Sequence, residues 1–442
     1  MRALAHGNQL AGHTAVVVGA QVSGLAAARL LAALGATVRL VDRNPEALSG
    51  EQRAACREDL ASLGVSVFLG PHQPEHFKDA QMVVLSPGVP AAKLAPFLAA
   101  CPGAQVLSEL ELASWFVNEP ILAVTGTNGK TTTTSLIGHI LEASGKKVFV
   151  GGNIGTPLSE HVLSGKDCDV VVLEVSSFQL QNVHSFHPKV ALLLNFSANH
   201  LDFHADLEEY LAAKLKLFAR MTDQDLAVLP LEMKDELESR IFTGARRAYF
   251  TPTNRFPDND LPGAHNKANM EAAWLCCKAF GVSEDQARAA VASFKPLAHR
   301  VQVLGEKGGV LFVDDSKATT VDAMRAAIES FDRPVRLLAG GVFKGGDLEG
   351  VIPLLKAKVR QVGLFGANRE IFERAWAGTL PLIWEPTLEG AVTRLYLDSD
   401  PGDVILLSPA TASFDLYSGY KARGEDFARI MAGLPDDREA RQ

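Results

Sequence analysis

Long apolar runs, cysteine pairs and an excess of positive charge are all missing from this sequence. Apolar stretches such as residues 190–194 and 404–407 fall far short of the ~20 residues a membrane helix needs. Residues 1–12 include His6, Asn8 and Gln9 and lack the apolar core of a signal peptide. A cytoplasmic protein without membrane insertion is expected. The five cysteines, Cys56, Cys101, Cys168, Cys276 and Cys277, form no Cys-x-x-Cys pair and leave an odd one over. That pattern fits reduced, buried thiols better than disulfides or zinc. A formal charge of −8 excludes a general affinity for nucleic acid, because phosphate backbones select clustered Lys and Arg. Any phosphate this chain binds must be caught locally.

The hydrophobic fraction of 47% and charged fraction of 21% are those of a chain that builds packed cores. At roughly 150 residues per domain, 442 residues suggest two to four domains. There is no solenoid-type repeat and no low-complexity tract. β-type runs alternate with helical patterns from end to end, which predicts an α/β protein. Three domains are expected: a Rossmann-like block over 1–108, a central parallel-sheet block of P-loop ATPase type over 109–297, and a smaller Rossmann-like block over 298–442.

The strongest local signal is Thr125-Gly126-Thr127-Asn128-Gly129-Lys130-Thr131-Thr132, placed after the apolar run 121–124 and before the helical pattern 133–141. Glycines let backbone N–H groups curl around a phosphate, and the helix N-terminus adds partial positive charge. Lys130 would neutralise the β/γ oxygens and Thr131 would ligate Mg2+. Val124 stands where the usual pattern has its first glycine. The plain alternative is a glycine-rich turn before a helix. A second turn, Gly19-Ala20-Gln21-Val22-Ser23-Gly24, follows the run 15–18, and Asp42 follows the run 37–41. Gln21 replaces the middle glycine of a dinucleotide fingerprint, so no NAD is expected. A different phosphate-bearing ligand and a purely structural turn both remain open.

Other candidates cluster after apolar runs, where open α/β sheets place ligands. Glu174, at the end of 170–173, needs either a cation such as Mg2+ or a neighbouring Lys or Arg. His200 emerges after 190–194. Lys214 lies in the helical stretch 210–216, where a lysine normally snorkels to solvent. Asn266 and Asn269 share a helix face and can read a nucleobase edge, while Arg300 can bind phosphate. Asp315, Lys317 and Thr319, then Lys344, then Ser413 and Phe414 follow further β runs and would suit an acidic small molecule.

Taken together these residues resemble the Mur ligase family over nearly the whole chain, and within it the branch that adds D-glutamate. Thr125 to Thr132 is similar to the family's shortened phosphate loop; Gly151-Gly152-Asn153-Ile154-Gly155 and Glu174-Val175-Ser176-Ser177-Phe178-Gln179-Leu180 match its next motifs. The resemblance implies ATP as co-substrate, bound by Gly126, Thr127, Asn128, Gly129, Lys130, Thr131, Thr132, Asn266, Asn269, Arg300 and Asp315. It also implies two Mg2+ held by Thr131, Glu174, His200 and a carbamylated Lys214. Lys130, Glu174, His200, Lys214 and Lys317 would carry the chemistry. UDP-N-acetylmuramoyl-L-alanine would meet Ser23, Asp42, Arg43, Ser86, Gly88, Asn153, Ser176, Gln179 and His200, and D-glutamate would meet Thr319, Lys344, Ser413, Phe414 and Tyr420. The Asp-Ser-Lys-Ala-Thr run at 315–319 resembles the D-glutamate branch, and the Asp-Asn-Pro-Arg motif of the diaminopimelate branch is absent. The chain departs from the family at Gln21, Asn199 and Thr320; Asn199 stands where Asp is usual and Thr320 where Asn is.

The implied reaction is amide formation through an acyl phosphate, carried out by a monomer whose domains close to exclude water. Rivals are a sister ligase or a folylpolyglutamate synthase-like enzyme, a nucleotide-gated switch protein, and a nicotinamide oxidoreductase built on Gly19 to Gly24.

Overall fold

A computed structural model describes residues 9–49, 51–197, 204–257, 259, 261, 263–295, 298–343 and 345–436. The backbone forms two compact units. One comprises residues 1–251 and 269–291, the other 252–268 and 292–442.

The first unit holds two sheets. Strands β1 (Thr14–Val18), β2 (Thr37–Asp42), β3 (Ser66–Leu69), β4 (Met82–Leu85) and β5 (Gln105–Ser108) lie in the order β3-β2-β1-β4-β5. All four pairings are parallel. Strands β6 (Ile121–Thr125), β7 (Val148–Gly152), β8 (Val170–Glu174), β9 (Val190–Leu193), β10 (Leu226–Pro230) and β11 (Arg246–Phe250) form a second parallel sheet, β11-β10-β9-β6-β8-β7. Near-continuous Val, Leu and Ala in β1, β6 and β8 suit strands covered on both faces by helices, and β6 and β8 are buried at every position.

Chain order reverses beside β1 in the first sheet and beside β6 in the second, so the loops after β1, β4, β6 and β8 border crevices at strand carboxyl ends. That is where Gly19 to Gly24, Ser86, the Gly126 to Thr132 loop and Glu174 stand.

The second unit carries β12 (Gln302–Lys307), β13 (Val310–Asp314), β14 (Val335–Ala339), β15 (Val359–Phe365), β16 (Leu382–Glu385) and β17 (Val404–Leu407), ordered β12-β13-β17-β14-β15-β16. Its edge strand β12 runs antiparallel to β13, an addition to an otherwise parallel sheet. Chain order reverses around β17, placing the loops after β13, β14 and β17 together. Thr320, one of the departures from the family pattern, caps the helix Val321–Glu329 by accepting from the Ala323 N–H at 3.3 Å.

The helix Glu109–Ser114 follows β5 and is anchored by buried carboxylates. Glu111 accepts from the backbone of His184, Ser185 and Phe186, from Ser185 Oγ and from Trp115 Nε1. Burial pushes its pKa up, but these donors outweigh burial and hold it below the ordinary value. Burial of the cysteines is less complete than the sequence predicts. Cys101, Cys276 and Cys277 are buried, whereas Cys56 and Cys168 are only partly so. Among the described residues no helix is long and apolar enough to cross a membrane.

Gly24 shows how tightly the first turn is built. A Cβ there would overlap the carbonyl oxygen of Gly19 and lie 2.6 Å from Ser86 Oγ. Alanine favours a helix over glycine by ~1 kcal/mol, but the overlap is with backbone and cannot be relieved by a rotamer change. Gly24→Ala is expected to destabilise by roughly 1–3 kcal/mol, read as a lower urea midpoint. A midpoint at or above that of the parent would mean that the helix Val22–Ala33 retreats freely.

Candidate functional site

The phosphate loop is built by positive-φ glycines and an asparagine brace. Gly126 has φ of +150° and Gly129 +77°, and a Cβ on Gly126 would lie 2.9 Å from Leu194 Cβ. Asn195 Oδ1 accepts from the N–H groups of Thr127 (3.1 Å) and Asn128 (2.9 Å), and its Nδ2 donates to the Asn128 carbonyl at 3.1 Å. Asn195 directly follows the apolar run 190–194, and no role was assigned to it from the sequence. Its position just beyond the end of β9 was the available signal. The helix Lys130–Ala143 starts directly from the loop, three residues before the predicted pattern.

Two lysines converge on one carbonyl. Lys130 Nζ donates to the Gly126 and Thr127 carbonyls at 2.9 and 2.8 Å, and Lys214 Nζ donates to the same Gly126 oxygen at 2.7 Å. Lys214, on the helix Leu207–Leu215, is 1% exposed, so the solvated alternative fails. Tyr210, one turn earlier, offers its ring face 4.3 Å from Nζ, and its hydroxyl lies 3.4 Å from Thr127 Oγ1. Burial, and secondarily the Lys130 ammonium, hold the Lys214 pKa well below its ordinary 10.5.

Glu174 pairs in register with Val124 on one side and Gly152 on the other, beside the loop. It is 2% exposed. Its Oε1 accepts from Asn153 Nδ2 at 2.6 Å, whereas Oε2 is buried with no hydrogen-bond partner among the described residues. A buried carboxylate oxygen with one position open is what a cation ligand requires, and the hydroxyl-bearing Thr131 opens the neighbouring helix. The donor set therefore fits Mg2+. His200, its third expected ligand, lies outside the described residues, as do Asn199 and Lys344.

The expected UDP-side residues sort into two cavities. Ser23, Ser86, Asn153 and Gln179 line one of about 300 Å³, together with Gln21 and Gly152. Asp42, Arg43 and Gly88 line a second of about 230 Å³, together with His72 and Lys93, which the sequence did not flag. Several of these side chains also hold the framework. Asp42 accepts from the N–H groups of Ala20 (2.7 Å) and Asn44 (2.9 Å), and Ser86 Oγ donates to the Gly19 carbonyl at 3.0 Å. Ser176 and Gln179 form a capping box at the helix Ser177–Leu180, so these two serve local structure as well.

Asn266 and Asn269, both buried, lie on the helix Ala264–Lys278. Asn269 packs its amide against Gly129, 3.0 Å from where a Cβ would stand. In the second unit Asp315 accepts from Ser408 Oγ (2.8 Å) and the Val301 N–H (3.2 Å). Burial pushes its pKa up to about 7 against these bonds and the positive charge of Arg300. Lys317 Nζ lies 5.3 Å from the Tyr420 ring centre. Thr319 is half-buried, Ser413 is buried and Phe414 is 69% exposed. Arg423, fully buried and missed in the sequence, ties these loops by donating to the Ser316 and Thr411 carbonyls at 2.8 and 3.1 Å.

Fold and loop define a nucleotide-binding α/β protein of the P-loop class. Residues 13–108 match the family description Mur ligase MurD-like, N-terminal domain; 124–254 match Mur ligase middle domain; 299–411 match Mur ligase, glutamate ligase domain. The UDP-N-acetylmuramoylalanine–D-glutamate ligase of Oleidesulfovibrio alaskensis is 53% identical over 97% of this chain and 96% of its own. That of Syntrophus aciditrophicus is 39% identical over 95% and 97%. The chain belongs to the Mur ligase family. Solved structures with the same fold include Thermotoga maritima MurF ligase in complex with ADP, with a TM-score of 0.58 at 17% identity over 92% of this chain and 96% of that one. Mycobacterium tuberculosis folylpolyglutamate synthase gives 0.54 at 16% over 72% and 92%.

Lys214 yields a prediction in two parts. Because its folded-state pKa is lowered, the unfolded chain binds the extra proton between that value and 10.5. Its cost to stability is therefore largest below this window and shrinks as pH rises through it. Lys214→Met, which leaves Lys130 on the Gly126 carbonyl, should keep or raise stability at neutral pH and remove that alkaline slope, while turnover falls roughly 10–100-fold. Chemical denaturation across pH, with turnover measured in parallel, checks both parts. A clear loss of stability at neutral pH would overturn the first.

Proposed function

We propose that this chain is an ATP-dependent ligase that joins D-glutamate to UDP-N-acetylmuramoyl-L-alanine in peptidoglycan synthesis. The observation that carries the reading is 53% identity, over 97% of the chain, to a protein named for that reaction. The intact loop and the buried, half-satisfied Glu174 supply matching chemistry. A carboxylate oxygen of the nucleotide-sugar substrate attacks the γ-phosphorus of ATP, and ADP leaves. The D-glutamate amine then attacks the acyl carbon, expels phosphate and loses a proton to leave the amide.

Loop N–H groups and Lys130 bind and neutralise the phosphates, so catalysis rests on positioning and charge rather than on a protein nucleophile. Lys130 already bonds two loop carbonyls, which fixes its ammonium at the mouth of the cradle. Thr131, Glu174, His200 and a carbamylated Lys214 would hold Mg2+. Bound there, Mg2+ supplies charge neutralisation for the transferring phosphoryl group. The depressed Lys214 pKa supports carbamylation, since only a neutral amine adds CO2. The amine loses a proton to solvent as it adds CO2, and the product carbamate places an anion beside Lys130.

The two cavities of the first unit suit the UDP-sugar, with Asp42, Arg43 and Gly88 at one and Asn153, Ser23 and Gln179 at the other. Asn266, Asn269, Arg300 and Asp315 are assigned to ATP. Lys317, Thr319, Lys344, Ser413, Phe414 and Tyr420 are assigned to D-glutamate. The domain limits 1–108, 109–297 and 298–442, a monomer and a cytoplasmic location belong to the same proposal.

Purified protein with UDP-N-acetylmuramoyl-L-alanine, ATP and Mg2+ should release ADP when D-glutamate is added, but not with L-glutamate, L-lysine or meso-diaminopimelate. Lys130→Ala should lower that rate by roughly 10²–10³-fold. Release with another amino acid instead would move the chain to a sister branch, and unchanged turnover in Lys130→Ala would sink the mechanism.

A further inference from the structure

At the opposite end of the central sheet from the phosphate loop, three metal-ligating side chains of different chemistry meet. Glu119 precedes β6 by two residues, Cys168 precedes β8 by two, and His161 sits in the helix Leu158–Ser164 between β7 and β8. One ligand atom from each, a carboxylate oxygen, an imidazole nitrogen and a thiol sulfur, lie within 4.8 Å of one another. Parallel strands explain the convergence, because β6 and β8 are hydrogen-bonded neighbours and both start at this end.

The geometry distinguishes among metals. His161 Nε2 stands 3.7 Å from Cys168 Sγ. With Zn–S near 2.3 Å and Zn–N near 2.0–2.1 Å, the S to N edge of a tetrahedral zinc site is about 3.6 Å. That contact is a hydrogen bond between thiol and imidazole, and it already holds sulfur and nitrogen at a spacing that two zinc ligands can keep. His161 is buried, and its ring stacks on Phe149 with centroids 4.2 Å apart at 22°, so its orientation is fixed before any ion arrives. Mg2+, which takes all-oxygen octahedral sites, is a poor match for sulfur and imidazole, whereas zinc and cobalt accept all three donors. The sequence argued against zinc because no two cysteines are suitably spaced, but here the ligands come from three separate segments.

We propose that Glu119, His161 and Cys168 bind one divalent cation of the zinc class, with solvent completing a four-coordinate shell. The ion would tie the segment before β6 to the helix Leu158–Ser164 and the turn before β8, bracing the base of the nucleotide-binding sheet. Binding converts the Cys168 thiol to a thiolate and releases its proton to solvent, so affinity weakens as pH falls.

The test needs neither ATP nor either substrate, so it stands or falls apart from the ligase reading. Full-length protein equilibrated with zinc and freed of excess should carry about one ion per chain by elemental analysis, and its thermal midpoint should rise on zinc addition. The cobalt-loaded protein should show thiolate-to-cobalt charge-transfer absorption. Cys168→Ser, a near-isosteric change at a partly buried site, should abolish the absorption band and the zinc-induced rise, and His161→Gln should weaken both. Glu174→Gln should retain them. Absence of the cobalt–thiolate band in the parent, or zinc retained by Cys168→Ser but lost from Glu174→Gln, would overturn the proposal by placing the ion at the nucleotide loop or nowhere.

Discussion

Two ammonium-bearing side chains share one carbonyl oxygen at Gly126, and most of what surrounds them follows from that crowding. Lys130 comes from the loop itself, whereas Lys214 reaches in from the helix Leu207–Leu215 and is fully enclosed. Two like charges at such close quarters in a low-dielectric pocket cannot both remain protonated without large cost. Burial first, and the Lys130 charge second, hold the Lys214 pKa well below its ordinary value, while Tyr210 offers the electron-rich face of its ring. A site so arranged is poised to receive anionic groups, because each phosphate oxygen offers these enclosed nitrogens a partner of opposite charge.

Holding that arrangement requires a rigid frame, and the frame is made from backbone. Positive-φ glycines let the loop turn between Leu194 and Asn269, and Asn195 clamps two loop N–H groups with one amide oxygen. The same economy recurs in the first sheet, where Asp42 and Ser86 fasten the Gly19 to Gly24 turn while Asp42 and Ser86 also line cavities. Such residues are both scaffold and surface. Removing one would shift geometry and binding together, so a change in affinity alone would not isolate a contact with ligand.

How much of this could be read from sequence depended on distance along the chain. The loop at 125–132 was legible because its parts are consecutive, and Glu174 because a charge at the end of Val170–Glu174 violates the apolar pattern around it. The three sheets followed from runs of β-branched residues, but antiparallel β12 did not, since its partner and direction are set by the β13 ladder rather than by its own residues. The burial of Lys214 was invisible without the family resemblance. A lysine on an amphipathic helix reads as solvated, and only the packing of that helix against the loop says otherwise. Asn195 and Arg423 escaped for a related reason, since each bonds to segments far away in sequence, and His72 and Lys93 escaped because the cavity they line is assembled from separate segments.

The overall charge of −8 shows why local arrangement matters more than bulk composition here. A chain with that sign repels polyanions in general, yet the ligands proposed for it carry phosphates and carboxylates. The conflict resolves because the relevant cations are few and fixed: Lys130 over the loop, Arg43 and Lys93 at one cavity, and Arg300 beside Asp315. Lys130 and Arg300 are half-buried and are screened less than surface charge, whereas Arg43 and Lys93 are exposed and act only at short range on what the cavity holds. The net negative charge disfavours long polyanions such as nucleic acid, while the few local cations still attract a small anion that fits. Selectivity for a small anion thus rests on a few positive groups placed at the sites, in a chain whose net charge is negative.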